Sequence, residues 1–163
     1  MARPDLLGTG YIDWVELTRP TRWLGIRDLQ WGRVHLPGST LVFTGVTSRS
    51  GERWQRFAHW PELAEGEPLV GSDFRLHSRE DTVHAEFPDP PGVLPELVLR
   101  PERVLHSGSA VDPMRTPGFF ERLAFRVVTG HSQETRWISR AHPAANVEAA
   151  EGFAVHEVVR FGR

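Results

Sequence analysis

Two short segments near the start of the sequence concentrate side chains capable of acid–base chemistry. Tyr11 and Asp13 alternate along the first segment, and Trp31, Arg33 and His35 alternate along the second. Because residues two apart share one face of a β-strand, each set should project from its strand together. If both sets turn inward, the carboxyl group of Asp13 would lose hydration among aromatic rings and would hold a proton as a general acid does. The alternative is an ordinary acid–arginine pair at a strand end.

Two other predicted strands carry a single acid on an otherwise apolar face. Glu121 alternates with phenylalanine, leucine and valine in one strand, and Glu157 alternates with valine and phenylalanine in the last strand. Burying an isolated carboxylate is costly, so each acid should be protonated, paired with an arginine or open to a solvated pocket. The candidate partners are Arg33, Arg56 and Arg75. Such pairs also serve simply to pin strands together, and both interpretations stay open.

Six tryptophans are many for a chain of 163 residues. Tryptophan offers a broad apolar surface and one hydrogen-bond donor, which suits a bulky polyene, polyketide or terpenoid with few polar groups. Tryptophans also pack protein cores, so several of the six are expected to be structural. The candidate catalytic residues are therefore Asp13, Tyr11, Arg33 and His35, and the candidate substrate-binding residues are Trp14, Trp31, Trp54, Arg75, Glu121, Trp137 and Glu157.

Composition excludes several classes of function. The net charge is -2, and no basic stripe is present, so nucleic acid is not an expected partner. No segment approaches the roughly twenty apolar residues of a membrane span, and no early apolar run follows Met1, so we expect a cytoplasmic protein. The absence of cysteine removes disulfides and thiolate chemistry. The eight histidines lack metal-ligand spacing, and no glycine-rich loop precedes a helix, so we expect neither a metal nor another cofactor.

Short alternating segments separated by Gly, Pro, Asp and Ser predict a single antiparallel all-β domain over residues 1–163. Eight or more strands in one domain need their edges paired, and closure into a barrel does this most completely. We therefore predict a β-barrel of about eight to ten strands with room for one small ligand, with a β-sandwich as the competing architecture. The predicted strands are 9–17, 29–36, 39–48, 52–59, 72–78, 81–87, 95–107, 119–129, 134–141 and 151–161.

The segment that contains the first predicted site also resembles a known protein family. The run Gly8-Thr9-Gly10-Tyr11-Ile12-Asp13-Trp14, followed by Trp31-Gly32-Arg33 and by Thr40-Leu41-Val42-Phe43, resembles the carotenoid 1,2-hydratase/hydroxyneurosporene synthase family. That family is related to tocopherol cyclase-like proteins and to lipocalin-like Diels–Alderases. The resemblance spans about residues 8–45, with a weaker likeness in 152–160. It implies one of the family's two lipocalin-like halves, standing alone or paired as a homodimer.

The resemblance implies a cofactor-independent cyclase or isomerase of natural-product biosynthesis that acts on a hydrophobic polyketide, polyene or terpenoid. Such a barrel would hold a flexible chain in a reactive shape and remove its water, as in a Diels–Alder-type ring closure. Polar groups would orient and polarise a carbonyl of the substrate. The alternatives are a hydratase that protonates an alkene through Asp13 and a lipocalin-like carrier that returns its ligand unaltered.

Overall fold

A computed structural model describes residues 25–61, 67–72, 74–79, 82–86, 96–109, 132–143 and 151–162 of the chain. These residues form nine β-strands. The strands are β1 (Ile26–Leu36), β2 (Ser39–Ser48), β3 (Arg53–Pro61), β4 (Leu69–Gly71), β5 (Arg75–Arg79), β6 (Thr82–Glu86), β7 (Glu96–Ser109), β8 (Ser132–Pro143) and β9 (Gly152–Phe161).

All nine strands belong to one antiparallel sheet that curls into a half-barrel, in the order β4-β3-β2-β1-β9-β8-β7-β6-β5. Neighbours in the sheet are neighbours in the chain, except that β1 pairs with β9 and so joins the first described strand to the last. Tight turns fix the first two hairpins. Gly38 and Gly51 adopt positive φ angles of 77° and 92° there, a conformation that glycine reaches without steric cost.

Strands β4 and β5 together behave as one interrupted strand. Following the antiparallel pairings from β1 in both directions shows that β4 and β5 run the same way. The first pairs with β3 and the second with β6, and Ser72 and Phe74 lie between them in the sequence. We call this junction the seam. An antiparallel sheet that returns to its starting strand needs an even number of strands, and counting β4 and β5 as one gives eight.

Side chains draw the two edges of the sheet together across the concave face. The rings of Phe57 and Phe74 meet edge to face with centroids 5.6 Å apart. The Ser78 hydroxyl donates a hydrogen bond of 3.3 Å to the amide oxygen of Gln30. Strand β5 therefore lies over β1 and β3, although no backbone ladder joins it to them among the described strands.

The hydrophobic core lies on the concave face, where alternate residues of each strand point. A Cβ at Gly32 would overlap the Phe43 ring, so the missing side chain lets that ring lie across β1. The buried cluster draws on most of the strands and consists of Val34, Leu41, Phe43, Phe57, Phe74, Leu76, Val83, Ala85, Leu97, Leu99, Ala141 and Ala154. This packing stabilises the curled sheet from within.

The predicted all-β antiparallel architecture is confirmed, and eight predicted strands overlap observed ones. Two boundaries differ from the prediction by two or three residues. Strand β5 begins at Arg75 rather than at 72, and β7 continues to Ser109 rather than ending at 107. Strand β4 was missed, because three residues are too few to show an alternating pattern. The predicted strands 9–17 and 119–129 lie outside the described residues.

Candidate functional site

The concave face changes from apolar to polar along the strands. In β1, Val34 belongs to the core, whereas Asp28 and Gln30 on the same face lie at the other end of the strand. In β3, Phe57 is buried and Gln55 lines a cavity. Because every second residue of a strand lies on this face, the change from apolar to polar residues along each strand makes one end of the concave face apolar and the other end polar.

Two adjoining cavities of about 110 and 240 Å³ lie at the polar end. They share the lining residues Asp28, Gln30 and Ser78, and we call the two cavities together the polar mouth. The smaller cavity reaches Trp137 and His156, and the larger cavity is bordered by polar side chains of β2 and β3. The site therefore joins an aromatic wall to a set of hydrogen-bonding groups.

Trp137 and His156 form the aromatic wall of the polar mouth, and contacts between buried side chains hold it in place. The rings of Trp137 and His156 are stacked, with centroids 4.8 Å apart and an interplanar angle of 22°. The Ser139 hydroxyl lies 3.0 Å from Nδ1 of His156, and both residues are buried. These contacts fix the orientation of an imidazole that lines a cavity, so His156 is able to donate or accept a proton there.

A second buried polar group lies on the convex face of β8 and β9. Glu134 and Glu157 are about 7% and 6% exposed. Nε of Arg136 donates to Oε2 of Glu157 at 2.7 Å, and its terminal NH2 donates to Oε1 of Glu134 at 3.0 Å. One guanidinium thus joins two carboxyl groups, which we call the carboxyl pair.

The surroundings of Glu134 favour its protonated form. Burial raises the pKa of Glu134, and the charge of Glu157 and a hydrogen bond to it raise that pKa further. The charges of Arg136 and His106 act in the opposite direction. Two carboxyl groups this close do not ionise together readily, because their like charges repel each other.

The structure brings several predicted site residues together on the convex face rather than in the interior. Trp31, Arg33 and His35 share one face of β1, as the alternation predicts, but the opposite face carries the core. Trp31 lies directly across from Glu157 in the β1–β9 register. Among the described residues, Trp31, Arg33 and His35 face away from the core, because Gly32 and Val34 of the same strand point into it, where Gly32 lies against Phe43.

His35 lies beside an open surface groove of about 580 Å³. Its ring stacks on Phe153 with centroids 4.7 Å apart. Burial, followed by the positive charge of Arg33, lowers the pKa of His35. The groove's charged residues are already paired, since Arg140 contacts both Glu102 and Glu151.

The remaining predicted site residues are divided. Trp137 lines the polar mouth. Trp54 is 53% exposed, and Arg75 is exposed at the start of β5. Glu157 is buried, but its arginine partner is Arg136 rather than any of the three proposed from the sequence. Four predicted residues lie outside the described part of the chain, namely Tyr11, Asp13, Trp14 and Glu121.

The sequence interpretation missed Asp28, Gln30, Ser78 and His156. A signal for His156 was present, since it alternates with Ala154 and Val158 on one face of β9. The polar residues of β1 and β3 gave no comparable signal, because polar groups at strand ends are common on solvent-exposed sheets.

No protein-family model and no curated protein matches this sequence. The resemblance of residues 8–45 to the carotenoid hydratase family therefore stays a prediction. Among the described residues, no three or more His, Cys, Asp or Glu side chains are grouped to hold a metal ion. In the same part of the chain, no helical segment has the length and hydrophobicity that a membrane crossing requires.

Proposed function

We propose that this protein is a lipocalin-like barrel that binds a small organic metabolite in the polar mouth. The observation that carries the proposal is the pair of adjoining cavities around Asp28, Gln30 and Ser78, one of which reaches Trp137. Their combined volume is near the lower end of the roughly 300–1,000 Å³ typical of ligand pockets. The near-closed order of the sheet supports a barrel of this kind, because meander barrels of about eight strands enclose one small ligand.

The lining of the polar mouth favours a ligand with two different parts. Trp137, Val83 and Val158 present an apolar surface at the inner end. Gln30 and Ser78 present hydrogen-bonding groups beside it. A planar or unsaturated hydrocarbon that carries one oxygen function would satisfy both surfaces.

A binding measurement with a defined probe tests this proposal. The probe is 2-acetylnaphthalene, a flat neutral ketone, and ligand-observed NMR measures its dissociation constant. Ser78→Leu places an apolar side chain in the space that both cavities share, so the variant should bind the probe at least about tenfold more weakly. Ser107→Leu is the matched control, because Ser107 is an exposed serine of β7 outside the polar mouth. Undetectable binding to the unmodified protein, or equal weakening by both variants, would overturn the proposal.

Cofactor-independent isomerisation or ring closure is the second candidate function. The observation that favours it over a simple carrier is His156, a positioned imidazole at the cavity wall. Such a group can remove a proton beside a carbonyl and return it farther along the chain. A carrier has no need of a proton-transfer group at that position. The predicted roles of Tyr11, Asp13, Arg33 and His35 stay predictions in this scheme, as does the biosynthetic setting.

The isomerase candidate is tested with cyclohex-3-en-1-one, which becomes the conjugated cyclohex-2-en-1-one when a proton moves from the α carbon to the γ carbon. Ultraviolet absorbance follows the conjugated product. His156→Gln should abolish the acceleration while 2-acetylnaphthalene still binds. If the unmodified protein gives no acceleration, or if His156→Gln gives the same rate, the catalytic candidate is wrong and the carrier remains.

A further inference from the structure

The charged residues around the polar mouth are unbalanced toward positive charge. The chain as a whole has a net charge of -2. Among the described lining residues, three guanidinium groups, those of Arg27, Arg53 and Arg160, accompany the single carboxylate of Asp28. The polar mouth therefore has a local excess of positive charge opposite in sign to the net charge of the chain.

The one carboxylate is already engaged. Nε of Arg27 donates to Oδ2 of Asp28 at 2.7 Å. Arg160 lies directly across from Asp28 in the β1–β9 register, yet neither Arg160 nor Arg53 forms an ion pair within the described chain. Two guanidinium groups at the polar mouth are thus left for an external anion.

Two histidines also line the polar mouth, His156 in the smaller cavity and His77 in the larger one. Nε2 of His77 lies 3.6 Å from Oε2 of Glu86, so a carboxylate lies beside that imidazole. The excess positive charge rests on Arg53 and Arg160, which border different cavities of the polar mouth.

We propose that the ligand of the polar mouth carries a carboxylate, so that its class is a small unsaturated or aromatic monocarboxylic acid. This inference rests on the proposed binding function and specifies its ligand. A guanidinium group matches the two oxygens of a carboxylate in a planar arrangement. The apolar part of the acid lies against Trp137, and Gln30 and Ser78 hydrogen-bond near its polar end. Because Arg53 and Arg160 are exposed, solvent and salt weaken their attraction, and the expected preference is moderate.

The test compares two probes of nearly the same shape. 2-Naphthoate carries a carboxylate where 2-acetylnaphthalene carries a neutral acetyl group. At low ionic strength the protein should bind 2-naphthoate about tenfold more tightly, and high salt should reduce that ratio. The double variant Arg53→Gln/Arg160→Gln should remove the preference, because it weakens the binding of 2-naphthoate more than the binding of 2-acetylnaphthalene.

Arg56→Gln is the control for the Arg53 substitution, because it removes one positive charge from the same strand on the opposite face. It should keep the preference for 2-naphthoate. Equal binding of the two probes by the unmodified protein would overturn this inference and leave the proposed binding function standing. If neither probe binds, the binding function itself is overturned. An equal loss of preference in Arg56→Gln would also overturn the inference, since overall charge would then be the cause.

Discussion

The two ends of the concave face are built on the same strands but differ in what their side chains do. At one end Val34, Leu41 and Phe43 are at most 2% exposed and fill the interior. At the other end Asp28 and Gln30 border open space. The comparison teaches that one curled sheet can divide its length between a part that stabilises the fold and a part that remains available to a ligand.

The largest expected effect lies at the apolar end. Phe43→Ala removes a fully buried ring that packs over Gly32, and the free energy of unfolding should fall by about 3–5 kcal/mol. Gln55→Ala at the polar mouth is the contrasting variant and should cost less than about 1 kcal/mol. Urea denaturation measures both. Similar losses in the two variants would mean that the ends do not differ in their contribution to stability.

A smaller difference in stability should separate substitutions of the two members of the carboxyl pair, Glu134 and Glu157, which lie on the convex face of the sheet. Glu157→Gln removes the negative charge that accepts the 2.7 Å hydrogen bond from Nε of Arg136, and it should cost about 1–3 kcal/mol. Glu134→Gln should cost less, because burial and the charge of Glu157 raise the pKa of Glu134 and make its charged form less favourable.

The pH dependence of stability tests the direction of the pKa shift of Glu134. Because folding raises this pKa, stability should fall as the pH rises from the ordinary pKa of the carboxyl group to its raised pKa in the native protein. Glu134→Gln should therefore flatten the decline of stability over that range, as followed by denaturation at a series of pH values. An unchanged decline would show that Glu134 is not the group that titrates.

The boundary between the two ends is tested at Ser139. Ser139→Ala leaves Nδ1 of buried His156 without its 3.0 Å contact and should cost about 1–2 kcal/mol in thermal or urea unfolding. Ser107→Ala removes an exposed hydroxyl that lies 3.5 Å from Thr135, so it should change stability by less than about 0.5 kcal/mol. A cost for Ser139→Ala as small as that of Ser107→Ala would show that this contact does not hold the aromatic wall.

The smallest expected effect is a histidine titration at the apolar end. Burial lowers the pKa of His59, so the unfolded chain binds a proton more readily than the native protein does. Stability should therefore fall as the pH drops below about 6.5, the usual histidine value. His59→Gln should reduce that slope between pH 7.5 and 5.5. An identical slope in the variant would assign the titration elsewhere.

The sequence predicts the fold better than it predicts the site. Alternation and turn residues identify most of the strands, because each is a local property of a few neighbouring residues. The same alternation correctly groups Trp31, Arg33 and His35 on one face of β1. Which face becomes the interior depends on pairing between distant strands, and the small residue Gly32 beside Phe43 decides it.

The site escaped prediction for a related reason. The polar mouth collects residues from β1, β2, β3, β5, β6, β8 and β9, and no single segment shows an unusual pattern. The partner of Glu157 was missed because Arg136 lies across from it in β8, a relation set by register rather than by sequence distance. A site whose residues lie in one segment can be recognised from the sequence, whereas a site whose residues come from several strands of a curled sheet cannot.

The seam between β4 and β5 bears on how such a molecule could change over evolution. Strands β4 and β5 follow each other in the chain but are not hydrogen-bonded to one another in the described sheet. An additional hairpin admitted there would widen the enclosure without shifting the register of any existing pair. The barrel could therefore come to hold a larger ligand through a change at this junction, while the other strand pairings stay the same.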